Sequence, residues 1–198
     1  MYYGRAICPE DSLDVSIQEK GFSFGVGYVI ETPESTLQAH KKILSLLPHI
    51  TLQSADDSTI ATITGWSFVR SNFTIDIAGV GIYKYHTEKL WKGVDICEGD
   101  TGPFHLYRHK GVRYSVFQND RQVAAFSKNR LIIGNGRNFD LRVNSGVNLN
   151  LIISMVLCLN TEDGDDETDS TVTYDFGSLG PEDQKFDEAW RPNDERSA

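Results

Sequence analysis

VNLNLIISMVLCL, Val147 to Leu159, is the one strongly apolar run in an otherwise polar, strand-like chain. It follows a strand-like segment, NFDLRV (Asn138 to Val143), and precedes a dense acidic run, TEDGDDETD. A membrane-spanning helix needs about 20 apolar residues. This run has thirteen, interrupted by Asn148, Asn150 and Ser154, and six acids follow between Glu162 and Asp169. Length and acidic exit therefore favour a buried core helix over a transmembrane span. The faces of the helix lead the same way. Leu149, Ile152, Ile153, Val156 and Leu159 form one stripe, while Leu151, Met155, Leu157 and Cys158 cover most of the rest. A helix apolar nearly all round has to be enclosed on nearly all sides. Asn144 or Ser145 is the expected cap of its first turn.

The charge of the chain is unevenly spread. The formal net charge is −9, yet residues from Asn160 onward carry thirteen Asp/Glu against three Lys/Arg, and residues 1–159 sum to +1. A nearly neutral globular part is thus joined to an acidic tail. The 198 residues divide into a loose lead-in (1–12), one folded domain (13–160) and a tail (161–198) whose Asp, Glu, Ser, Gly and Pro content predicts flexibility. Within the tail, FDEAW (Phe186 to Trp190) reads as a short docking element, because isolated aromatics in a solvated segment seek a surface. Three cysteines, Cys8, Cys97 and Cys158, form no paired framework, and MYYGRAICPEDS has no signal-like apolar region. The expectation is an intracellular, cytoplasmic protein in a reducing environment.

Before the apolar run the pattern is one of short strands. LDVSIQ, YVIET, HITLQS, STIATITGW, NFTIDIAG, VGIYKY, VDICEG, FHLYRH, VRYSVFQ and QVAAFSK are rich in aromatic and β-branched residues and often alternate apolar with polar. Turn formers separate them: Asp56-Asp57, Ala78-Gly79, Gly99-Asp100, Lys110-Gly111, Asn119-Asp120 and Asn135-Gly136. Many short strands at regular spacing mean a sandwich or a barrel. STLQAHKKILSLL, Ser35 to Leu47, has helical propensity and offers one alternative helix. The fold class is α+β, mainly β: strands that close into a barrel, with the apolar helix filling its interior.

At this point the chain resembles a known group, the tubby C-terminal-like superfamily, which includes LURP-one-related proteins and phospholipid scramblases. Gly21-Phe22-Ser23-Phe24-Gly25 with Tyr28-Val29-Ile30 is similar to the opening strands of LURP-one proteins. Phe104-His105-Leu106-Tyr107 through Tyr114-Ser115-Val116 and Asn119 to Ala124 resembles their repeated strand–turn–strand pattern. Asn138-Phe139-Asp140-Leu141 running into Leu151 to Leu159 resembles the last strand and central helix of both groups. The similarity spans roughly Leu13 to Leu159, and the order of the motifs carries it. It implies a roughly twelve-stranded antiparallel barrel around one central helix. It also implies binding of anionic lipid headgroups or adaptor function, since tubby proteins bind phosphoinositides through a basic surface and scramblases are proposed to move lipids in response to Ca²⁺.

A basic stripe is the best candidate site. Between His105 and Ser145 eight Lys/Arg stand against Asp120 and Asp140. If Lys110-Gly111 is a two-residue hairpin loop, Arg108 and Arg113 sit opposite each other, which is unfavourable unless an anion lies between them. Arg108, Lys110, Arg113, Lys128 and Arg130 are therefore the expected contacts of an anionic headgroup or acidic partner, with Arg favoured for its planar fork. The tethered acidic tail can lie on this stripe and compete with such a ligand.

Other chemistry finds little support. Asp163, Asp165, Glu167 and Asp169 alternate like a Ca²⁺ loop, but Thr168 stands where such a loop needs Gly and Tyr174 where it needs Glu. The five histidines show no metal spacing, and neither a Gly-x-Ser-x-Gly elbow nor a Cys-x-x-Cys pair appears. No metal, cofactor or catalytic residue is expected. A nearly neutral globular part is a poor footprint for nucleic acid. The leading expectation is a non-enzymatic binding or adaptor protein, cytoplasmic and peripheral at membranes, with a lipid-translocating protein and an unrecognised enzyme as the alternatives.

Overall fold

Among the described residues, twelve strands follow one another in chain order, each antiparallel to the next, and the last pairs with the first. A computed structural model describes residues 12–22, 25–42, 47–67, 71–130, 137–162 and 183–192. The strands are β1 (Ser12–Phe22), β2 (Gly25–Glu31), β3 (Thr36–Lys42), β4 (His49–Gln53), β5 (Thr59–Ser67) and β6 (Ser71–Ile77). They continue as β7 (Gly81–Lys89), β8 (Val94–Glu98), β9 (Phe104–His109), β10 (Arg113–Gln118), β11 (Arg121–Arg130) and β12 (Arg137–Asn144). One helix follows, α1 (Leu149–Glu162).

The even strand count dictates where the helix goes. An up-and-down barrel with an even number of strands ends at the rim where it began. β12 therefore finishes beside the start of β1, with Asn144 opposite Ser12. The chain turns there, Val147 N–H donating to the Asn144 carbonyl at 3.1 Å, and α1 runs back through the lumen. An eight-stranded barrel can be filled by side chains alone, whereas a wider one needs something larger inside. A helix of about 10 Å diameter supplies it. Residues 151–161 are all buried, and α1 packs most closely against β5 and β6.

The strands supply the other half of the core. Ile17, Ile30, Leu52, Ile63, Ile75, Tyr85, Leu106, Val116, Phe126 and Leu141 point inward and are buried. Their neighbours Glu31, Gln38, His40, Thr64, Thr74, Asp76, Lys84, Asp140 and Arg142 are exposed. A transmembrane barrel has the opposite arrangement, an apolar outer band around a polar interior. No described helix is long and apolar enough to cross a membrane.

The polar interruptions of the apolar run are accommodated locally. Asn148, rather than Asn144 or Ser145, caps the helix, its Oδ1 accepting from Leu151 N–H at 3.1 Å. The turn after β12 delays the helix start and moves the cap with it. Ser154 Oγ donates to the Asn150 carbonyl at 2.7 Å and Thr161 Oγ1 to the Leu157 carbonyl at 3.0 Å. At the far end Asn160 Nδ2 donates to Tyr28 Oη at 3.0 Å and to Glu19 Oε2 at 3.3 Å, tying the helix to the β1–β2 wall.

The alternative helix at Ser35 to Leu47 is not formed. Thr36–Lys42 is instead β3, paired with β2 on one side and β4 on the other, with Leu37 and Ala39 turned inward. Helical propensity is a weak prior that tertiary pairing overrides. Here closure requires the strand: without it β2 and β4 would both run the same way and the antiparallel ring would be broken.

Candidate functional site

The β9–β10 hairpin determines which candidate side chains share a surface. Its loop is three residues, Lys110 to Val112, not the two of Lys110-Gly111, so Arg113 pairs with His109 and Tyr114 with Arg108. Gly111 and Val112 both have left-handed backbones, with φ of 76° and 52°. That conformation is strained for a β-branched residue. Val112 is held there by the hydrogen bond from Lys128 N–H to its carbonyl at 2.9 Å and by packing against the core. A one-residue change of register moves side chains to the opposite face of a sheet. Arg108 therefore points into the barrel and Arg113 points out, and the expected like-charge pair across the hairpin does not exist.

Arg108 belongs to the interior. Its Nε–H and Nη2–H donate to Asp95 Oδ2 at 3.1 and 2.8 Å, and Tyr85 O–H donates to the same oxygen at 3.0 Å. The Asp95 side chain is fully buried. A buried carboxylate is tolerated only when paired and hydrogen-bonded. Arg108 and Tyr85 meet that need at Oδ2, while Oδ1 has no partner among the described residues. Lys128 also lies on an inward register position, opposite Phe139, with Nζ 5.9 Å from the ring centroid. Lys110 is exposed at the hairpin tip. Arg130 ends β11 opposite Arg137, and its side chain lies outside the described residues. Of the candidate residues, Arg108 and Lys128 thus face inward and Arg113 outward.

The outer side carries a different constellation. Val94 and Ile96 on β8 pair with Tyr107 and His105, outward positions of β9, yet they are buried and separate from the barrel core. They must be covered from outside. Residues 183–192 bracket them. On one side Asp183 reaches Lys89 Nζ at 3.1 Å and Lys92 Nζ at 2.5 Å. On the other, the Phe186 ring lies 5.1 Å from the His109 ring and 4.8 Å from the Arg113 guanidinium carbon. Glu188 accepts from Arg113 Nη1 at 2.5 Å. Trp190 is only 4% exposed, and a turn places it, with Ala189 N–H donating to Asp187 Oδ1 at 2.8 Å. Beneath Phe186, His109 Nε2 and Ser115 Oγ are 2.7 Å apart and both buried.

The electrostatics of the strip follow from these contacts. Hydrogen bonds from Lys92 and Lys89 hold the Asp183 carboxyl below the usual Asp range. The hydrogen bond and charge of Asp183 in turn raise Lys89. Burial raises the Tyr107 hydroxyl, which stands on the same strip with its ring edge against Phe117. Cys97 faces the barrel interior, and burial, with help from Glu98, pushes its thiol up to about 12, so it is not a nucleophile at neutral pH. Cys158 is buried as well, and Cys8 lies outside the described residues.

Phe186 and Arg113 also form one rim of an open groove of about 680 Å³. Its floor is made of the short side chains Ser16, Ala125 and Ser127, and the Thr32–Pro33 turn forms the far rim. Asp14, Glu31 and Asp140 line it beside Arg142, so it is acidic where the strip under the segment is basic.

The sequence reading missed Lys89, Lys92, His109 and the covered pair Val94 and Ile96. Burial at four consecutive positions of β8, Val94 to Cys97, is that of a strand covered on both faces, but Asp95 interrupts the apolar run that would announce it in the sequence. The alternating acids Asp163 to Asp169 and the turn at Asn135-Gly136 lie outside the described residues. No protein-family model, no curated protein and no solved structure matches the chain.

Proposed function

We propose that the protein is a non-enzymatic binding or adaptor protein of tubby-like and LURP-one-like type. Its basic outer face takes up an anionic group, either a phospholipid headgroup at a membrane surface or an acidic partner. The carrying observation is the seating of Asp183 and Glu188 on Lys89, Lys92 and Arg113: this face holds carboxylates already. The family reading is supported by the closed twelve-stranded barrel with its C-terminal helix in the lumen, the architecture that the resemblance implies. A cytoplasmic protein that meets membranes peripherally fits the same reading.

The structure also changes which cations carry the proposal. Arg113 and Lys110 remain on the outside, Lys89 and Lys92 join them, and Arg108 is committed to Asp95. The test is binding of the full chain to phosphoinositide-containing vesicles and to acidic peptides at low and high salt. Arg113→Ala with Lys92→Ala is expected to weaken binding, and salt is expected to weaken it further. Equal binding by the variant and the wild type would refute the placement of the site on this face.

A further inference from the structure

We infer that the outer strip of β8, β9 and β10 is a docking surface for an acidic–aromatic linear peptide, and that residues 183–192 are its internal occupant, which a partner peptide displaces. This rests on the anion-binding reading of the same face and specifies the anion's carrier.

Three features of the strip match such a peptide rather than a headgroup. First, the charges it satisfies are spaced. Asp183 meets Lys89 and Lys92 at the β7–β8 connection, and Glu188 meets Arg113 at the start of β10. A single headgroup presents its charge at one point, whereas a chain presents carboxylates at intervals. Second, the strip is apolar between the cations. Val94 and Ile96 are outward yet buried, and Trp190 is buried although it stands outside the barrel core. Large aromatic side chains seated in covered pockets are the usual anchors of protein recognition. Third, Phe186 is gripped twice, by the His109 ring and by the Arg113 guanidinium, which also binds Glu188. One arginine thus reads both an aromatic and an acid two residues on. The pattern is Asp-x-x-Phe-x-Glu-x-Trp, as found in Asp183 to Trp190.

The segment is joined to α1 by the twenty residues 163–182. Being on the same chain as the strip gives the internal copy a high effective concentration. The charged contacts that hold it are at least partly exposed, so solvent and salt weaken them. A partner with the same pattern would exchange with it when present in excess or when offering better anchors.

The experiment uses the full chain and a labelled peptide, DQKFDEAWRP, read by fluorescence anisotropy. Phe186→Ala with Trp190→Ala vacates the strip while leaving its surface intact. This variant is expected to bind the peptide on the order of tenfold to hundredfold more tightly than the wild type, the factor by which the tethered copy competes. A second variant, Asp183→Asn with Glu188→Gln, weakens the internal copy without removing an apolar group and is expected to show a smaller gain. Adding Arg113→Glu to either is expected to abolish it. Circular dichroism and thermal unfolding check that each variant keeps the barrel.

Anionic vesicles form a parallel arm. Peptide bound by the vacated strip and blocked by Arg113→Glu supports the inference, whether or not vesicles also bind. Vesicles bound without peptide overturn it and leave the anion-binding function standing. Equal peptide binding by wild type and both variants overturns the displacement. No binding of either probe overturns the inference and the proposed function together.

Discussion

Arg108 and Arg113 stand five residues apart on one hairpin, and each holds a carboxylate, yet they hold it on opposite sides of the wall. Arg108 meets Asp95, whose side chain is fully buried, within a set that includes Tyr85. Arg113 meets Glu188, whose side chain is 78% exposed, on a segment that comes back from the C-terminal end of the chain. The chemistry is the same and the surroundings are not. Inside, a lost partner leaves a charge that water cannot reach. Outside, water and salt replace it at little cost. The inner pair therefore fixes the barrel, while the outer pair is suited to exchange.

Substitutions can test that division, beginning with the largest expected effect. Arg108→Ala strands the Asp95 carboxylate and is expected to cost about 3–5 kcal/mol of unfolding free energy, read by urea denaturation. Arg108→Met combined with Asp95→Leu removes both charges and is expected to restore most of that loss, since apolar groups often replace buried ion pairs without penalty. If the double variant is as unstable as the single one, the inner pair does more than neutralise charge. Leu157→Ala, in the fully buried helix, is expected to cost about 2–5 kcal/mol by leaving a cavity in the lumen.

The outer face should respond differently. Trp190→Ala removes the main apolar anchor of the docked segment. It is expected to leave barrel unfolding nearly unchanged while hydrogen exchange rises in residues 183–192. Global destabilisation as large as that of Arg108→Ala would mean that segment and barrel form one cooperative unit.

The inner region was far more legible in the sequence than the outer one. The apolar run, Val147 to Leu159, favours an enclosed helix, and eleven of the twelve strands stand out as alternating or β-branched runs. β3 hid because QAHKKIL carries helix-forming residues, and only its pairing on both sides makes it a strand. The site was harder to read because it depends on register. Lys110-Gly111 looks like a two-residue turn, and the third loop residue, Val112, takes a backbone conformation its side chain disfavours. That single residue decides which arginine faces out. Lys89 and Lys92 were invisible for another reason: their partner Asp183 is some ninety residues away, and nothing local announces it. FDEAW did announce itself, because its aromatics are out of place in an acidic tail.

The smallest effects concern the outer ion contacts, and their sign can be worked out. Asp183 is lowered from an ordinary value of 3.8 by Lys92 and Lys89, so its contribution to docking is fully present above 3.8 and is lost as pH falls through the lowered value. Lys89 is raised from 10.5 by Asp183, so its contribution is fully present below 10.5 and is lost as pH rises through the raised value. Between those limits the contact is constant, and neutral-range pH changes are expected to leave it alone. Salt acts where pH does not, because the Debye length falls from about 10 Å at 0.1 M to about 3 Å at 1 M. Hydrogen exchange in residues 183–192, followed with salt at fixed pH, should thus quicken modestly in the wild type and not at all in Asp183→Asn with Glu188→Gln. Equal quickening in both would show that the aromatics alone seat the segment, and would make the outer face apolar in its energetics despite its charges.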